Sequence, residues 1–170
     1  MTIIDITLLI LLGGFVLAGF WFGVIHMIGS ILGVILGAIG AGWFYGTVAE
    51  KIVSYVGGNM NLAKIIAFIV LFVVITRLVG LILWILEKMF GFMTIIPFMK
   101  TFDRLLGAAL GLVEGTLAIG LCVYFSAHFP VTAGFAAMLV DSEIAHAFNK
   151  VGSVLAPLLP AAVRVVKSVI

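Results

Sequence analysis

ITLLILLGGFVLAGFWFGVIHMIGSILGVILGAIGAGWFYGTVA, residues 6–49, contains no Asp, Glu, Lys or Arg. As a helix rising about 1.5 Å per residue, this stretch is about twice as long as the roughly 30 Å hydrocarbon core of a bilayer. It must therefore hold two spans. The break falls at FWFGVIHM (20–27), where Phe20, Trp21 and Phe22 suit the membrane interface and Gly23 can turn the chain beside His26. The expected spans are 4–22 and 26–46. Asp5 stands at the start of the first, where a carboxylate complements the helix dipole and stays near water. The opening MTIID has no basic residue, so the first helix reads as a retained span and not as a cleaved leader.

Composition agrees with this reading over the whole chain. Apolar residues make up 65% and charged residues 9%, against roughly 45–50% and about 25% in soluble domains. A soluble fold must show polar surface to water, whereas a bundle in lipid can be apolar outside as well as inside. The nine Lys and Arg are scattered singly and the net charge is +2, which argues against nucleic-acid binding. Cys122 lies in an apolar run with no second cysteine to pair with, and reads as a small core residue.

Two further spans follow. VGGNMN (56–61) is a turn signal, preceded by Glu50 and Lys51. The run NLAKIIAFIVLFVVITRLVGLILWILEK (61–88) supplies the third span, about 62–87, and contains Arg77. GFMTIIPFMKTFDR (91–104), with Pro97 and three charges, reads as a connection. The fourth span is about 104–126. Beyond His128 and Pro130, polar residues return at helical intervals: Asp141 or Ser142 can cap a helix with Ile144, Phe148, Val151 and Leu155 on one face. A last short segment, 161–170, carries Arg164 and Lys167. The fold class is all-α: a polytopic membrane helix bundle of about four transmembrane helices (residues 1–128), followed by a tail (129–170) of amphipathic helices expected at the interface.

Two features mark the interior. In GSILGVILGAIGAG, Gly29, Gly33 and Gly37 recur every four residues; in GAALGLVEG, Gly107, Gly111 and Gly115 do the same. In lipid, helices gain little from burying apolar side chains and associate through close backbone contact, which such stripes permit. Helices two and four are thus expected to make the tight contacts, with the same chain or with another copy. The second feature is a pair of opposite charges. Arg77 lies ten residues before Glu87 and Glu114 ten residues after Arg104, so on antiparallel helices both sit about 15 Å from the same side. Each costs about 2.5–3.5 kcal/mol at the bilayer centre if uncompensated. They are expected to form an ion pair or to face one polar cavity.

No constellation for catalysis appears. His26, His128 and His146 lack metal-ligand spacing, no phosphate-binding loop follows a strand, and Asp141 with Glu143 reads as a solvated helix start. No cofactor and no metal are expected.

From the fourth helix the chain resembles the colicin V production protein (CvpA) family. The resemblance lies in FDRLLGAALGLVEG: Asp103, Arg104, Gly107, Gly111 and Gly115 match the family's order of an acidic or amide residue, Arg, an apolar pair and spaced glycines. Asp5 opening an apolar helix that reaches Gly23 also resembles it, and the likeness covers about residues 3–126. The chain departs from it at the first turn, with Phe22, His26 and Met27 where the family often has charged residues. The resemblance implies a bacterial inner-membrane protein with a part in toxin production, secretion or envelope homeostasis. Two function classes follow. One is a non-enzymatic accessory protein that assembles with itself or with a secretion or envelope partner. The other is a small oligomeric channel or transporter with a polar path at Arg77, Glu114 and Thr76. The uncharged start and the more basic third connection favour both termini outside.

Overall fold

In the computed structural model, which describes residues 2–90, 100–129 and 131–159, a capping box starts the first helix. Thr2 Oγ1 accepts from the Asp5 N–H at 3.2 Å, and the Thr2 N–H donates to Asp5 Oδ2 at 2.6 Å, so two otherwise orphan amides are satisfied. The helix, α1 (Ile3–Phe22), stops at Gly23, whose φ of 80° few residues with a side chain adopt. With that one residue the chain reverses into α2 (Val24–Ile52). Gly57 and Gly58, both at positive φ, make the next turn, and Asn59 Oδ1 accepts from the Leu62 N–H at 3.1 Å to start α3 (Met60–Phe90). The fourth long helix is α4 (Lys100–His128). Two shorter ones follow, α5 (Ala133–Val140) and α6 (Glu143–Leu155), capped by Thr132 and Ser142. The connection at 91–99 with Pro97, Pro130 and the segment 160–170 with Arg164 and Lys167 lie outside the described residues.

Four helices, α1 to α4, are long and apolar enough to cross a membrane. They run past the expected ends: α2 reaches Ile52, carrying Glu50 and Lys51 in its last turns. Backbone hydrogen bonding does not stop where the hydrocarbon does, and polar residues continue a helix into water. Large apolar side chains cover the outside, among them Ile10, Leu17, Trp21 and Trp43. This is the inverse of a soluble surface and suits hydrocarbon.

The long helices pack in the order α3, α2, α4, α1. α2 lies along α3, α4 lies along α1, and α2 and α4 join the two pairs, while α1 and α3 barely meet. On the side where α3 starts, the core is aromatic: Phe68 of α3 stacks on Phe125 of α4 at 4.0 Å between centroids, and Tyr45 of α2 meets Phe125 edge-on at 5.0 Å.

In the tail, α6 rests on α4 and on the start of α1. Its buried face is Ala145, Phe148, Gly152 and Leu155. A Cβ on Gly152 would overlap the Gly120 carbonyl, so the two helices touch backbone to backbone. An amphipathic face can be buried against lipid or against another helix with equal chemical satisfaction. The glycine pair decides for the helix.

Candidate functional site

The glycine stripes set the site's walls. On α2, a Cβ at Gly33 would stand 3.1 Å from the Thr76 carbonyl oxygen, one at Gly29 3.2 Å from Leu83, and one at Gly37 3.2 Å from Phe72. This stripe faces α3 throughout. Thr76 Oγ1 also donates to the Gly33 carbonyl at 3.2 Å, a polar tie where hydrocarbon offers no competing partner. The α4 stripe faces α1 instead: Gly107 abuts Gly19 and Gly23, Gly111 the Phe15 carbonyl, and Gly115 the Phe15 side chain. Both stripes find their partners within the chain, each on its own neighbour.

The residues of the resemblance gather at two ends of α1. Asp103 Oδ1 accepts from the Val24 N–H at 3.1 Å and so caps α2, and a side chain at Gly23 would collide with that carboxylate. Arg104 lies over the Phe20 ring at 5.7 Å. At the other end Asp5 is buried, at 4% exposure, and its Oδ1 accepts from the hydroxyl of Ser142, itself fully buried. Ser142 also accepts from the Ala145 N–H at 2.9 Å. One serine therefore caps α6 and fastens it to the start of α1.

Between the outer helices lies a cavity of about 510 Å³. Leu11, Phe15 and Phe22 of α1 form one wall and Phe72, Val73, Arg77 and Trp84 of α3 the other; Ser30 of α2 and Glu114 of α4 line it as well. Because α1 and α3 scarcely touch, and Leu11, Val73 and Leu81 on its rim are exposed, the cavity opens sideways. Glu114 is 5% exposed and accepts a hydrogen bond from the Ser30 hydroxyl. Arg77 is exposed within the same cavity and its charge reaches Glu114. Among the described residues the two are not joined as an ion pair, and no hydrogen bond is made to the guanidinium. Ser30 of α2 donates to the carboxylate, while Arg77 lines the same cavity from α3. Ser30 pairs across 84 residues of sequence, so nothing in its own surroundings marks it. Gly19, four residues before Gly23, carried a recognisable spacing.

The histidines stand apart: His26 beside Phe22 on the cavity wall, His128 with Nδ1 2.8 Å from the Tyr124 carbonyl, and His146 with Nε2 3.0 Å from the Val140 carbonyl. Among the described residues no three His, Cys, Asp or Glu come together as metal ligands.

Four apolar helices packed through backbone contacts define a multi-pass integral membrane protein with a charged cavity open to its flank. The chain belongs to the colicin V production protein family, whose model matches residues 4–153. No curated protein and no solved structure matches it significantly.

Proposed function

We propose that this chain is a non-enzymatic accessory protein of the bacterial inner membrane, serving toxin production and secretion or envelope homeostasis, and that the side-opening cavity is its working site. The observation that carries the reading is the opposite charges of Arg77 and Glu114 in one cavity within a chain of the colicin V production family. Charges at membrane depth are costly and mark function more often than packing. The test is colicin V release from cells carrying the wild type, Arg77→Gln or Glu114→Gln, at equal membrane levels. Loss of release in both variants supports the reading, and unchanged release in both refutes it. Crosslinking in native membranes would identify copies of the chain or secretion and envelope partners.

A second reading, a small oligomeric channel or transporter, is favoured by one observation: Ser30, Thr76, Arg77 and Glu114 all line the same cavity. Reconstitution into liposomes separates the two. Ion or solute flux abolished by Glu114→Gln supports the channel; no flux, alongside a stable heteromeric complex, supports the accessory role.

A further inference from the structure

The cavity reaches from the α1–α2 turn, where Phe22 and His26 line it, past Glu114 to Ala118. Gly107 abuts the turn at Gly23, and Glu114 lies seven residues further along α4, which at about 1.5 Å per residue is about 10 Å below the turn. The cavity is thus a slot that begins near the headgroup level and ends in hydrocarbon. Its volume falls within the roughly 300–1,000 Å³ of pockets that hold small molecules, and its opening faces the bilayer.

The slot holds opposite charges on two different helices, Arg77 on α3 and Glu114 on α4. Glu114 accepts from the Ser30 hydroxyl. Arg77 lines the cavity and is exposed, and its guanidinium carries five N–H donors. A guanidinium fork matches a phosphate or carboxylate with two parallel hydrogen bonds. A simple anion placed there would meet the charge of Glu114. A ligand carrying an anion and a cation side by side satisfies both walls, and an apolar tail on that ligand would lie along Leu11, Phe15, Phe72 and Val73.

From this arrangement we infer that the cavity binds the head of an aminophospholipid entering from the bilayer, with its phosphate on Arg77 and its ammonium toward Glu114 and Ser30. The inference rests on the reading of the cavity as the working site. It adds the ligand and the direction from which it comes.

The experiment is purification in mild detergent followed by native mass spectrometry and lipid extraction, with add-back of phosphatidylethanolamine, phosphatidylglycerol, soluble glycerophosphoethanolamine or inorganic phosphate. The wild type is expected to retain phosphatidylethanolamine over phosphatidylglycerol and to gain thermal stability from that lipid alone. Arg77→Gln is expected to lower retention at least tenfold. Gly80→Leu is the second variant: Gly80 lines the cavity and a Cβ there meets nothing within 4 Å, so the position has room for a side chain to begin. It should abolish retention with Arg77 intact. Equal retention in both variants overturns the inference, as does equal stabilisation by inorganic phosphate or by the soluble headgroup. Colicin V release keeps the two readings apart. Loss of release with retention unchanged removes the lipid and leaves the cavity's role standing, whereas loss of retention with normal release removes the role and leaves the lipid.

Discussion

Gly13 and Gly19 lie six residues apart on α1, and the same substitution at each should act in opposite directions. A Cβ at Gly19 would overlap the Gly107 carbonyl oxygen, stand 2.8 Å from the Gly107 carbonyl carbon and 3.1 Å from the Gly111 Cα. All three are backbone atoms of α4, which cannot swing aside as a side chain can, so the helices must move apart along their whole contact. Overpacking of this kind costs about 1–3 kcal/mol, and that range corresponds to about fivefold to more than a hundredfold in the equilibrium between docked and undocked α1. At Gly13 a Cβ meets nothing within 4 Å. There Ala adds only its better helix propensity, up to about 1 kcal/mol in favour of the fold. Reversible unfolding in mixed micelles, or steric trapping of α1 against α4, measures both variants on one scale. Gly19→Ala should destabilise while Gly13→Ala is neutral or stabilising. Equal effects at the two sites would refute the assignment of Gly19 to a backbone contact.

Ser142→Ala removes the N-cap of α6 together with its tie to Asp5, and the lost cap alone is worth about 0.5–2 kcal/mol; hydrogen exchange should show the first-turn amides of α6 and the start of α1 opening together. Asp103→Ala leaves the Val24 N–H without its acceptor, whereas Asp103→Asn keeps one, so proteolysis or exchange at the α1–α2 turn should rise in the first variant and much less in the second. Phe125→Ala removes the ring shared by Phe68 and Tyr45 and should cost about 3–5 kcal/mol, the largest loss of the set by reversible unfolding.

The spans were legible because charge is so expensive in hydrocarbon that its complete absence over residues 6–49 is itself the mark of a lipid environment. The turn at Gly23 was legible for a similar reason, since a chain twice the bilayer's thickness has to fold back near its middle. Partner choice was not. Gly33 and Gly111 advertise a close contact, but a glycine carries no side chain to say with what, and only the fold shows Thr76 opposite one and Phe15 opposite the other. Depth arithmetic set Arg77 and Glu114 at one level; it could not set their rotation about their helix axes, which is what separates a direct pair from two walls of one cavity. Ser30 sits one residue beyond Gly29 on an apolar helix and gains its role only when α4 arrives. The tail was ambiguous because Phe148 and Leu155 are as well buried by a helix as by lipid.

The order of packing also bears on how the chain is made. α2 and α3 are neighbours in sequence and in space, so they can pair as soon as both are in the membrane. α1 emerges first, yet Gly19 must wait for Gly107, 88 residues later. At synthesis rates of about 5–20 residues per second, that interval is about 4–18 s. Through it, α1 remains in the bilayer without its native neighbour, its small-residue face open to whatever helix passes, until the fourth span arrives and α6 closes over the end.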